Sequence, residues 1–167
     1  LSSYGGGVVF FPSGRYRVDS ILRTGTWIKS PLVLRLGISF RGEGRDRVSL
    51  WWPDQAEKMY SLIECMGQNT ISDLSIFTQG RHGTTIAADT DDITIRNVLI
   101  RANCYYMTGA NGRAHHRRGV SEPWNQMGVA LEFNRSRNVQ VVNCDIYNSS
   151  MIFRLKHVEG CRIADCT

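Results

Sequence analysis

The second half of the chain matches itself at a shift of 22 residues, and no other feature narrows its fold as much. Placed above MIFRLKHVEGCRIADCT (151–167), the stretch VALEFNRSRNVQVVNCDI (129–146) sets Val129 over Met151, Leu131 over Phe153 and Phe133 over Leu155. It continues with Val139 over Cys161, Val141 over Ile163, Asn143 over Asp165 and Cys144 over Cys166. DITIRNVLI (92–100) and NTISDLSI (69–76) carry the same unit, with Asn97 and Asp73 at the break. Apolar residues alternate within each unit, the period of a strand with one buried face. Asn or Asp then interrupts the alternation, and these residues tolerate left-handed backbone and hydrogen-bond to it. A unit this short cannot close a core alone, so the units must stack. The pattern predicts an all-β fold, a right-handed parallel β-helix whose coils rise by roughly 4.8 Å each.

The 167 residues, 42% of them hydrophobic, suffice for one core. A single β-helix domain is expected over 1–167, with a glycine-rich opening and first coils in 1–58, regular coils in 59–167 and a long loop insertion at 101–127. The chain stops at Thr167 within a strand-like pattern, so it reads as a piece of a longer solenoid. A net charge of +5 favours anionic partners. The scattered arginines, with no Lys/Arg tract, argue against nucleic acid. No apolar run is long enough to span a membrane. The five cysteines, odd in number and without a CxxC pair, argue against zinc and against a disulfide framework. Cys144 and Cys166 are expected as stacked, inward free thiols.

GGGVVFFPSGRYRV (5–18), followed by LGISFRGEG (36–44), resembles the opening of the pectate lyase-like superfamily. The resemblance implies a right-handed parallel β-helix with a capping helix upstream and further coils downstream. It also implies a polysaccharide substrate, held in a groove formed by the first sheet of each coil and the loops leading into it. Arg, Lys or calcium would neutralise a uronate carboxylate there.

Stacked coils place equivalent loops side by side. TQGRHG (78–83), the long RANCYYMTGANGRAHHRRGVSEPWNQ (101–126) and YNSS (147–150) share one corner, and a loop beyond about 12–15 residues is uncommon unless functional or disordered. The candidate catalytic residues at this corner are His82, His115, His116, Glu122 and Glu132, which can move protons. The candidate substrate-binding residues are Arg81, Arg101, Tyr105, Tyr106, Arg117, Arg118, Trp124 and Arg154, which offer guanidinium forks for anions and rings for sugar faces. Bland alternatives stand beside these. Glu132 and Arg154, outward on adjacent coils by alternation, also fit a surface salt bridge contributing about 0–1 kcal/mol. His115 and His116 also fit a solvated pair. Asp89, Asp91 and Asp92 suit calcium, or an ordinary turn. Of Trp51 and Trp52, alternation buries one and leaves the other as a stacking surface.

These residues lead to the expectation of an extracellular or periplasmic protein that cleaves an acidic, uronate or sulfated polysaccharide. Lyase chemistry stands ahead of glycoside hydrolysis, because no outward Asp pair is visible. No cofactor is fixed by the sequence; calcium is the candidate. The alternative is a non-catalytic glycan-binding module of adhesin or tail-spike type. An open solenoid end would also permit self-association.

Overall fold

The computed structural model describes residues 5–18, 23–24, 27–28, 32–53, 59–78, 82–104, 129–149 and 151–167. In chain order its strands are β1 (Gly7–Phe11), β2 (Gly14–Arg17), β3 (Arg23–Thr24), β4 (Trp27–Ile28), β5 (Leu32–Leu34), β6 (Ile38–Gly42), β7 (Val48–Trp52), β8 (Met59–Cys65), β9 (Asn69–Thr78), β10 (His82–Ala88), β11 (Ile93–Cys104), β12 (Val129–Asn134), β13 (Arg137–Val142), β14 (Asp145–Ser149), β15 (Met151–Lys156) and β16 (Glu159–Ala164). β3 and β4 form an antiparallel pair; the pairings that build the solenoid are parallel. One sheet runs β1-β6-β9-β11-β13-β16, with β2-β7-β9 and β11-β14 continuing it around a bend. A second runs β5-β8-β10-β12-β15. The coil therefore has three faces. The first comprises β1, β6, the halves of β9 and β11 before their bends, β13 and β16. The second comprises β2, β7, the later halves of β9 and β11, and β14. The third is the β5 to β15 sheet.

The expected 22-residue register is present residue for residue: Val129 stands on Met151, Leu131 on Phe153, Phe133 on Leu155, Val139 on Cys161 and Val141 on Ile163. Coil length is not constant, however. Gly7 stands on Ile38, Phe40 on Ile71, Ile71 on Ile95, and Ile95 on Val141, so the coils differ in length while the strands stay in register. The differences fall at the corners. Inside, equivalent residues stack as apolar columns: Phe40, Ile71, Ile95 and Val141 on the first face, Leu50, Ile76, Ile100 and Ile146 on the second, and Leu34, Cys65, Ala88 and Phe133 on the third, all buried. Each fully buried Ile, Leu or Phe contributes about 1.5–3 kcal/mol.

The bend between first and second faces is a column of left-handed residues. Asp73, Asn97, Asn143 and Asp165 have φ of 59°, 52°, 53° and 53°. Asn97 Nδ2 donates to Asp73 Oδ1 at 2.8 Å, and Asn143 Nδ2 to Asn97 Oδ1 at 3.2 Å. Gly42 ends the preceding coil at this bend; a Cβ there would overlap the Asp73 carbonyl oxygen, so only glycine fits. A second left-handed column, absent from the sequence expectations, opens the first face. Its members Gly37, Gln68, Asp92, Asn138 and Gly160 have φ of 73°, 52°, 60°, 55° and 62°.

The corner between third and first faces carries charge. Arg135 pairs with Asp89, Arg137 with Asp91 at 2.8 Å, and Asn138 Nδ2 donates to Asp92 Oδ1 at 2.8 Å. The aspartates considered for calcium are thus engaged by the next coil. The Arg137 guanidinium and backbone N–H hold the Asp91 carboxyl below the usual carboxylate range. Trp52 is buried, while Trp51 is half-exposed beneath Arg15. Cys144 and Cys166 are free thiols packed with the core, each directing its sulfur at backbone carbonyls.

Two outcomes follow from this framework. Asn97→Ala forfeits left-handed tolerance, about 1–2 kcal/mol, and side-chain hydrogen bonds contributing about 1 kcal/mol each. Its urea midpoint should fall well below that of Asn97→Gly, which keeps the backbone geometry; equal losses would locate the ladder's value in the amides instead. Burial pushes the Cys65 thiol up to about 12 and the Cys144 thiol up to about 11. Native-state alkylation at pH 8, read by peptide mass spectrometry, should therefore label exposed Cys161 well before either of them.

Candidate functional site

The second-face strands end at Trp52, Thr78, Cys104 and Ser149, and the third-face strands begin at Met59, His82, Val129 and Met151. These strand ends and strand starts lie at one corner of the coil, and nearly all of the residues that join them lie outside the described residues. Arg101 to Cys104, expected within the 101–127 insertion, continue β11. The polar run Arg-Ala-Asn-Cys hid that extension. Arg81, Tyr105, Tyr106, His115, His116, Arg117, Arg118, Glu122 and Trp124 lie outside the described residues. His82 opens β10, paired with Met59.

Glu132 and Arg154 are brought together. The register stacks Val33, Glu64, Ala87, Glu132 and Arg154 in one row across the third face. Arg154 Nη1 lies 3.3 Å from both Glu132 carboxylate oxygens, and Thr84 Oγ1 donates to Oε2 at 2.9 Å. The expected surface pair is in fact buried, with side chains 9% and 7% exposed. Alternation does turn this row away from the core column of Leu131 and Phe133, but the other side of β12 is covered too: Ala130 is fully buried. The energetics change with the setting. Two charges withdrawn from water are costly unless both remain paired.

Glu64 is a member of the row that the sequence reading missed. SLIEC (61–65) aligns with VALEF (129–133) through TTIAA (84–88), and extending the repeat back across its irregular spacing would have found it. Arg101 goes elsewhere. It is exposed on the second face, in register with Phe77 on one side and Tyr147 on the other, not on the face that holds Glu132.

The buried pair makes a sharp expectation. Arg154→Ala leaves Glu132 without its charge partner and should cost about 3–5 kcal/mol, whereas the double replacement Glu132→Leu with Arg154→Met should recover much of that loss. A double-mutant cycle by chemical denaturation measures the coupling; additive losses would mean that the pair is not energetically linked.

No family model matches the chain, and no curated protein matches it. Among solved structures it is similar to the A-module of the Azotobacter vinelandii mannuronan C-5 epimerase AlgE4, at a TM-score of 0.61 and 15% identity, covering 99% of this chain and 44% of that one. The chain thus spans less than half of the module it superposes on. Stacked parallel faces, left-handed bend columns and this superposition give one result: the chain is a right-handed parallel β-helix of pectate-lyase-like fold.

Proposed function

We propose that this chain belongs to a carbohydrate-active β-helix protein that acts on an acidic polysaccharide outside the cytoplasm, at the corner where the 105–128 connection joins the third face. One observation carries the reading: a buried Glu132–Arg154 pair sits three residues into the strand that leaves that connection. The equivalent position one coil earlier is Ala87, so the fold itself does not require charge there. Buried ion pairs seldom stabilise more than the apolar side chains they replace. Retaining one beside the longest connection points to a role in recognition or chemistry.

The chemistry favoured is removal of the proton beside a uronate carboxylate. Arg154, oriented by Glu132, neutralises that carboxylate, which makes the adjacent C–H more acidic. One of the histidines singled out in the sequence, His82, His115 or His116, accepts the proton. The resulting carbanion then either expels the glycosidic oxygen at C4, which takes a proton from water or from the histidinium and leaves a C4–C5 double bond behind, or takes a proton from water on the opposite face. The first course is a lyase reaction. The second is an epimerisation, the activity named for the similar A-module.

A second reading is a glycan-binding module without catalysis. It is favoured by the fact that Glu132 and Arg154 already satisfy each other in a buried setting.

Incubation of the protein with polymannuronate and with sulfated glycans separates these readings. Ultraviolet absorbance of an unsaturated product reports elimination, and altered uronate stereochemistry by proton NMR reports epimerisation. Reducing ends without absorbance would indicate hydrolysis and turn attention to Glu64 and Glu132, two rungs or about 9.6 Å apart along the row. Glu132→Gln should lower an elimination or epimerisation rate at least tenfold, and so should alanine at one of His82, His115 and His116, the one that serves as the base. Binding with none of these signals would defeat the enzyme reading.

A further inference from the structure

Five side chains on the second face stand one rung apart in a single row. The register pairs Arg17 with Trp51, Trp51 with Phe77, Phe77 with Arg101 and Arg101 with Tyr147. Buried rows flank it: Leu50, Ile76, Ile100 and Ile146 on one side, Trp52 and Thr78 on the other. Alternation therefore turns the intervening row to solvent. Arg17 and Arg101 are exposed, Tyr147 is 49% exposed, and Trp51 and Phe77 are half-buried. Arg15 adds a further cation, its guanidinium carbon 4.4 Å from the Trp51 ring centroid, with that of Arg17 at 5.4 Å. An indole attracts a guanidinium to its face, and a guanidinium presents forked N–H donors that match a carboxylate or sulfate. The carboxylate of the adjacent row, Asp145, is bound by Arg45 at 2.9 Å and by Thr167 Oγ1 at 2.5 Å.

We propose that this ladder is a second glycan site, one that holds an acidic polysaccharide chain parallel to the solenoid axis. Aromatic planes take sugar faces, and guanidiniums take carboxylates or sulfates through paired hydrogen bonds. The rungs advance by about 4.8 Å, comparable with one sugar of an extended pyranose chain, so successive rungs meet successive residues of the polymer. Charge selects the occupant. Arg15 and Arg101, both exposed, favour an anionic polymer, whereas a second copy docking by the same face would set these cations against their own equivalents. The inference rests on the reading above for the chemistry of the polymer, and not for its site or for any catalysis.

Equilibrium binding of the full chain to polymannuronate, dextran sulfate and neutral dextran tests it. The wild-type chain should bind the two acidic polymers, more weakly as salt rises. Trp51→Ala combined with Tyr147→Ala should weaken that binding about tenfold. Tyr147→Ser alone, at an exposed position, should weaken it a few-fold, which separates loss of the ladder from any folding defect of the Trp51 variant. Unchanged affinity in both variants, no binding by the wild type, or equal binding of neutral dextran overturns the ladder. So does a dimer that both variants abolish, which would identify a second copy as the occupant. Binding through the ladder without turnover of any polymer keeps this inference and removes the enzyme reading. Turnover with binding unaffected by the variants does the reverse.

Discussion

Everything in this molecule depends on parallel backbone stacking held in register by left-handed bends. A strand slipped by one residue would turn its inward column to solvent, and Ile71, Ile95 and Val141 would all lose their burial together. The bend column prevents this by giving each coil one residue, Asp73, Asn97 or Asn143, that must sit over its counterpart to make its side-chain bond. Non-glycine residues at positive φ are costly, so the positions that accept them are few and the register has few competitors. Gly42 does the same by exclusion, since the next coil's backbone occupies the space a side chain would need.

With register fixed, the three faces become independent surfaces. The first-face corner spends its charges internally, Asp89 and Asp91 on Arg135 and Arg137 of the following coil. The third face buries Glu132 and Arg154 in a row that holds Ala87 one coil earlier. The second face leaves a row of arginine and aromatic side chains in solvent. Three arrangements of arginine thus occur on one scaffold: against carboxylates at a corner, within a buried pair, and stacked on indole. Their different surroundings, not the residue type, decide which can meet a ligand.

Much of the backbone is legible in the chain alone, because repetition turns one-dimensional spacing into three-dimensional contact. The 22-residue shift by itself places Val129 on Met151 and Val141 on Ile163, and the Asn and Asp breaks mark the first bend. The second bend is hidden by its mixed composition: Gly37, Gln68, Asp92, Asn138 and Gly160 share a backbone geometry, but two have no side chain and the other three differ in length or charge. Alternation tells which side of β12 holds Glu132, but not that this side is covered, since period-two spacing sorts residues between two sides without saying which side meets water. Glu64 escapes the repeat because coil lengths vary around it. Trp51 and Trp52 divide as alternation requires, but the row that Trp51 joins becomes visible only once Phe77, Arg101 and Tyr147 are stacked beside it.

The unequal coils have a thermodynamic consequence. Closure entropy of a connection grows only with the logarithm of its length, so replacing three residues, as at 79–81, by twenty-four, as at 105–128, costs roughly 2 kcal/mol. One additional inward isoleucine offsets that. The rungs on either side meet with their hydrogen bonds unchanged, as Ile86 on Leu131 shows across the insertion. The corner is therefore a place where length and composition can vary almost independently of the stack beneath, and a β-helix of this kind can change what it recognises without renegotiating how it folds.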